Sequence, residues 1–218
     1  DEYGCDALRY TLASLAVPGR DLKLGESRIQ GSRNFMTKLW NAARFLEMNG
    51  CIYQQGFEPL DVQLSVNRWI ISEMTILASN VYKAIEAYRF DDAAADLYKF
   101  LWGTYCDFYL EFLKPIFANV EDAVALEESR KTAAWVLMEF IKIANPIIPF
   151  ITEVLWQEFG GEGMLLAAQW PSYGKKTVAD RYIDVNAQEE MNWLVELISA
   201  IRSRRTEFNV PPGMLIPL

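Results

Sequence analysis

Apolar residues recur at intervals of three and four through most of this chain, the period of a helix with one buried side. Leu8, Leu12 and Leu15, with Tyr3 and Ala7 above them, predict a helix over 1–16 that Val17-Pro18-Gly19 ends. A loop over 20–25 leads to a second helix, 26–48, closed by Asn49-Gly50. After a loop over 51–63, Ser65 has the chemistry of an N-cap for a helix over 66–88, whose buried side is Trp69, Ile70, Met74, Leu77, Val81, Ile85 and Tyr88. Asp91 or Asp92 caps the next helix, 92–112, striped by Leu97, Phe100, Leu101, Tyr105, Phe108, Tyr109 and Phe112. A fifth helix covers 123–144 with Leu126, Trp135, Leu137, Met138, Phe140 and Ile141 inside. Asn145-Pro146-Ile147-Ile148-Pro149 breaks it, because proline removes backbone donors, and a short helix resumes over 150–159. Gly160-Gly161-Glu162-Gly163 is the strongest linker signal; 164–170 reads as a short extended segment or strand. A last helix spans 186–209, Val210-Pro211-Pro212-Gly213 ends it, and 214–218 has a strand pattern. Six or seven helices joined by short loops make an all-α helical bundle.

Charge picks out one of these helices. The 218 residues carry a net charge of −8, yet from Arg20 to Leu46 six basic residues face two acids, a net of +4, which leaves −12 on the rest. No carboxylate lies between Ser27 and Leu46. At about 100° per residue, Phe35, Met36, Leu39, Ala42, Ala43 and Leu46 fall on one arc of this helix. Arg33, Asn34, Thr37, Lys38, Asn41 and Arg44 fall on the opposite arc. Surface helices normally mix signs, so an arc of cations and amides without acids suggests a docking place for a polyanion, with an ordinary solvated surface as the alternative. Asn34, Lys38 and Asn41 lie along one line at i, i+4 and i+7, with Arg33 and Arg44 flanking. Lysine neutralises phosphate, and asparagine amides reach base edges or sugar hydroxyls. Arg202, Arg204 and Arg205 form a second basic knot.

Composition removes much of the competing chemistry. There is no histidine, which excludes His-dependent triads, most zinc sites and imidazole acid–base catalysis. Cys5, Cys51 and Cys106 are odd in number and widely spaced, which fits a reducing compartment rather than a disulfide framework. No apolar run approaches the ~20 residues of a membrane span. Trp69, Trp102, Trp135 and Trp156 sit on apolar stripes and read as core, with base stacking open to any that is exposed. Asp91-Asp92, Glu127-Glu128 and Glu189-Glu190 read as caps or solvated surface, since adjacent residues on a helix point apart. The glycine cluster 160–163 lacks the Gly-Lys-Ser/Thr ending of a phosphate loop. The chain opens at Asp1 without a methionine and stops after Ile216-Pro217-Leu218, as an excised piece of something larger would.

Several motifs carry a family resemblance. Asp1-Glu2-Tyr3-Gly4-Cys5-Asp6-Ala7-Leu8-Arg9-Tyr10 resembles the helix after the KMSKS loop of class I aminoacyl-tRNA synthetases. Asn67-Arg68-Trp69-Ile70, Tyr88-Arg89-Phe90, Trp102 through Phe108-Tyr109-Leu110-Glu111, and Pro149-Phe150-Ile151-Thr152-Glu153 resemble their helical anticodon-binding domain. Pro18-Gly19-Arg20-Asp21-Leu22, Arg33-Asn34-Phe35, Lys38-Leu39-Trp40-Asn41-Ala42-Ala43-Arg44-Phe45 and Asn209-Val210-Pro211-Pro212-Gly213 are similar to the valyl branch of that family. Asn145 departs from the pattern, where relatives often carry histidine.

The resemblance implies a cytoplasmic parent ligase that attaches valine to its tRNA with ATP and magnesium. The HIGH and KMSKS motifs are absent here, so this piece by itself is expected to be inactive and without cofactor or metal. It implies a monomer whose partners are the anticodon stem-loop of the tRNA and the catalytic domain of the same chain. On that reading 1–50 holds a stem-contact helix and the RNA-facing helix, 51–159 the bundle core, and 160–218 a linker, an extended segment and a final helix leading onward. The implied tRNA contacts are Arg33, Asn34, Lys38 and Asn41, then Arg44, Arg20 and Arg28; Phe35 matches too, but its angle puts it in the core. An isoleucyl or leucyl relative, or a helical module that binds protein, would share much of the same pattern.

Overall fold

The computed structural model describes residues 2–17, 19, 23–171, 181–211, 213 and 214. Among them are seven helices and no strand: α1 (Cys5–Leu15), α2 (Glu26–Met48), α3 (Ser65–Glu86), α4 (90–118), α5 (Ala123–Ala144), α6 (Pro149–Glu158) and α7 (Val185–Glu207). Single 3-10 turns occupy Pro59–Asp61 and Leu165–Ala167. One contiguous apolar core runs from Tyr10 on α1 to Met191 on α7 and draws on every helix.

The predicted bounds of α2 hold at both ends, with Gly50 in the left-handed conformation (φ 73°) closing its last turn. Other ends are decided by contacts from distant residues. Ser65 does not cap α3; it lies inside the helix, and Leu64 is the flanking residue. Two N–H groups at that entry are taken by Glu128 of α5, whose carboxylate accepts from Gln63 N (2.9 Å) and Leu64 N (3.0 Å). In the same way Asp6 of α1 accepts from Phe150 N (3.3 Å) and Ile151 N (2.6 Å) at the start of α6. Arg9, one turn along, donates to the carbonyls of Ile147 and Pro146 at 3.1 and 3.0 Å, so α1 clasps the proline break from both sides. Asn145, at the departure from the family pattern, donates its amide to Thr152 Oγ1 at 3.0 Å.

Neither Asp91 nor Asp92 caps α4, which begins at Phe90 after Arg89; both carboxylates instead pair with the Arg89 guanidinium at 3.1 and 3.0 Å. The helix also outruns its predicted end at 112. Burial of Leu113 and Phe117 holds its last turns in place past Pro115. Its middle, Lys99–Tyr109, is wound as a π-helix between the α-helical Phe90–Tyr98 and Leu110–Ala118. The glycine cluster after α6 is folded rather than free: Gly161 N donates to Trp156 O at 2.8 Å and Trp156 Nε1 to Gly163 O at 3.2 Å. The stretch 164–170 is not uniformly extended. Met164 and Ala168 are, but a 3-10 turn lies between them, started where Glu153 accepts from Leu165 N. The pattern noted at 214–218 lies, but for Met214, outside the described residues.

α7 docks on α3 through polar contacts. Trp69 Nε1 donates to Asn192 Oδ1 (3.2 Å), Gln188 Nε2 to Glu73 Oε1 (3.1 Å), and Asp184 N to Ser72 Oγ (2.9 Å).

Candidate nucleic-acid interface

The polar face of α2 faces outward because its opposite face has nowhere else to go. Phe35, Leu39 and Leu46 are fully buried, and Met36, Ala42 and Ala43 nearly so. Ser32 is also buried and shares a 2.7 Å hydrogen bond with Thr11, which sets α1 against α2. With that side pinned, Arg28, Arg33, Asn34, Asn41 and Arg44 are exposed and Lys38 is half-buried.

These residues differ in how they are held. Arg33 donates to the Glu2 carbonyl at 3.1 Å, and Gln30 donates its amide to Asn34 Oδ1 at 3.2 Å. Lys38 reaches Asp107 of α4 at 3.3 Å, and its Nζ lies 4.9 Å from the centre of the Trp102 ring. Arg44 pairs with Glu47 one turn on, at 2.7 Å. Arg20 lies outside the described residues. The acid-free run in the sequence is therefore not acid-free in space: Asp107 and Glu47 each bring a carboxylate to its edge. Arg33, Asn34, Lys38 and Asn41 do share one face. Of the C-terminal arginines, Arg202 lies over the Phe108 ring at 5.2 Å, Arg204 pairs with Glu207 at 2.8 Å, and Arg205 donates to the carbonyls of Pro211 and Met214.

Phe35 is core, as its helical angle predicts, and stacks between Tyr10 and Tyr98 at 4.8 and 5.4 Å. Trp69, Trp135 and Trp156 are core as well. Trp102 is not: it is partly exposed at the edge of the α2 face, beside Tyr98 and Asp107. Tyr98 and Asp107 were not legible as site members, and Trp102 was legible only as core or, if exposed, as a base stacker. Asp107 is 69 positions from Lys38, and no local pattern records that pairing.

Burial pushes the Cys106 thiol up to about 12, against a smaller pull from Lys38. No group of three or more His, Cys, Asp or Glu that could hold a metal ion forms among the described residues. None of the described helices is long and apolar enough to cross a membrane.

Fold and face together define an all-α bundle with one polar, cationic helix face turned outward. A family model described as the anticodon-binding domain of tRNA ligase matches residues 67–217, and the chain belongs to that family. It is 50% identical over 223 residues to a valine–tRNA ligase of Rhizobium meliloti, and 50% identical over 218 residues to one of Caulobacter vibrioides. These matches cover 100% and 98% of this chain but 23% of each relative. The chain thus spans about a quarter of the length of the curated relatives it matches. The crystal structure of the Agrobacterium radiobacter K84 agnB2 LeuRS–tRNA–LeuAMS ternary complex superposes with a TM-score of 0.61 at 20% identity, over 84% of this chain and 20% of that one. That likeness is one of fold.

Proposed function

We propose that this chain is the part of a valine–tRNA ligase that grips the anticodon arm of the tRNA, with the exposed face of α2 as its contact surface. One observation carries the reading. Between Ser27 and Leu46 the side chains that the core leaves outside on α2 include the cations Arg28, Arg33 and Arg44 and the amides Gln30, Asn34 and Asn41, beside Thr37 and Trp40 and with no carboxylate among them, on a protein whose net charge is −8. Arg33 and Lys38 neutralise phosphates, and the Asn34 and Asn41 amides, each a donor and an acceptor, meet base edges or the ribose 2′-hydroxyl. Arg28 extends the cationic strip, and Arg44 contributes less because Glu47 already holds it. Joining valine to tRNA, with ATP and magnesium, belongs to other parts of such a ligase. α1, which clasps the proline break before α6, is the natural brace toward the catalytic domain. The reading places the parent in the cytoplasm as a monomer.

The test is binding of a valine anticodon stem-loop RNA across a salt series. Arg33→Glu and Lys38→Gln should each weaken binding and lower the slope of log K against log salt by about 0.7 per lost phosphate contact on single-stranded RNA. Unchanged affinity and slope in both variants would remove α2 as the contact surface. Tighter binding of a leucine or isoleucine anticodon stem-loop would overturn the valyl assignment.

A further inference from the structure

Two of the aromatic ladders in the bundle each end under a cation. In one, Trp69, Phe112 and Phe108 follow one another at 6.2 and 6.1 Å, and Arg202 lies over the last ring. In the other, Tyr10, Phe35, Tyr98 and Trp102 follow at 4.8, 5.4 and 5.4 Å, and Lys38 lies over Trp102. The second ladder climbs from the core to the surface. Tyr10 and Phe35 are buried, Tyr98 is 43% exposed, and Trp102 is partly exposed on the π-helical stretch of α4. It emerges beside the α2 face, because Asn34 and Asn41 stand one turn to either side of Lys38.

Resting on the reading of that face as the anticodon-arm surface, we propose that Trp102 is a stacking platform for one unpaired base of the loop. Lys38 covers it in the free chain, and a backbone phosphate uncovers it by drawing Lys38 away from Asp107.

The contacts that keep the platform covered are weak ones. The Lys38 and Asp107 side chains retain 31% and 43% exposure, so their ion pair is screened by water. A cation over an aromatic ring at such a site adds little more. Stacking of a base on a protein aromatic is worth roughly five- to a hundredfold in affinity. Exchanging an ammonium for a base on Trp102, and a carboxylate for a phosphate on Lys38, is therefore favourable on both sides. Asp107 sets the threshold: it repels the incoming phosphate and holds Lys38 until the phosphate competes. Tyr98 supports the ring from beneath and is itself seated on the buried Phe35, so the platform is rigid before the base arrives. Any base can use it, because stacking reads a π-face and leaves the Watson–Crick edge free for the neighbouring amides.

The experiment places 2-aminopurine at one unpaired position at a time in a valine anticodon stem-loop RNA and titrates the 218-residue chain into it. With the unaltered chain, one loop position should lose fluorescence on binding. Trp102→Leu should abolish that quenching and weaken binding roughly five- to a hundredfold with the salt slope unchanged. Trp102→Phe should keep most of the affinity. Asp107→Asn should tighten binding by up to about fivefold by releasing Lys38. Quenching at no loop position of the RNA bound to the unaltered chain overturns the proposal without recourse to any variant. So does binding by Trp102→Leu within twofold of the unaltered chain while Arg33→Glu still weakens it; in that case the α2 surface stands and the platform does not. If Arg33→Glu and Lys38→Gln both bind normally, the surface itself is wrong and the platform goes with it.

Discussion

Replacing Glu128 by alanine should destabilise this bundle by loosening three elements at once. Glu128 belongs to α5 but caps α3. Its Oε2 accepts from Gln63 N at 2.9 Å, and its Oε1 accepts from Leu64 N at 3.0 Å and from Asn67 Nδ2 at 2.9 Å. Asn67 is fully buried; it also donates to Ser129 Oγ at 3.1 Å and accepts from Tyr109 Oη at 2.9 Å. The carboxylate thus ties the start of α3 to α5 and, through Asn67, to the π-helical part of α4. A hydrogen bond to a charged group contributes about 1.5–3 kcal/mol. Two of the three donors here border on solvent and can recover part of that from water. The third, the Asn67 amide, keeps only Ser129. We expect a loss of about 2–4 kcal/mol, which for a chain of this size lowers Tm by roughly 4–16 °C. Glu128→Gln keeps an oxygen for Leu64 and Asn67 but turns an amine toward Gln63, and should lose about half as much. Thermal unfolding followed by circular dichroism reads both. A Glu128→Ala variant melting within 1–2 °C of the unaltered chain, a cost below about 0.5 kcal/mol, would refute a trans-acting cap.

Three further outcomes follow from local geometry. A Cβ on Gly161 would overlap the indole of Trp156, which Lys142 covers at 5.5 Å, so Gly161→Ala should cost about 1–3 kcal/mol and alter tryptophan fluorescence; an unshifted melt would show that the turn yields freely. Burial raises the Glu73 carboxyl above its ordinary value, against lesser opposing effects from the Gln188 hydrogen bond and Lys99. The folded chain then holds a proton that the unfolded chain has released, and stability falls as pH rises from about 4.3 through the folded value. Glu73→Gln, which can still accept from Gln188, should therefore raise Tm at pH 7 and leave it unchanged below about pH 4; the reverse order would contradict the assignment. Cys5 is exposed, while burial lifts Cys51 and Cys106 to about 12, so a thiol reagent at pH 8 should modify one cysteine at once and two only on unfolding.

What could be read in advance was whatever depends on near neighbours along the chain. The 3.6-residue period assigned Phe35 to the core and Arg33, Asn34 and Asn41 to solvent, and both hold. Every predicted helix forms, but not every stripe is buried: Leu8 and Leu12 on α1 stay 40% and 39% exposed, and Tyr88, read as part of the buried side of α3, lies past its end and is 77% exposed. Local chemistry misled where a distant side chain did the capping: Ser65 looked the part, but Glu128 stands at the helix start. Asp91 and Asp92 looked like caps because of where they sit, yet Arg89 engages both.

The amino-acid sequence by itself determined an all-α bundle, the extent of α2 and the cationic character of its outer face, because periodicity and charge are properties of neighbouring positions. Only the tertiary structure decided how that face is furnished. It set Asp107 beside Lys38 across 69 residues and raised Trp102 out of the core at the end of a ring ladder. It also joined α1 to α6 through Asp6. Such pairings form when helices pack against one another, and the positions of the partners along the chain carry no trace of them.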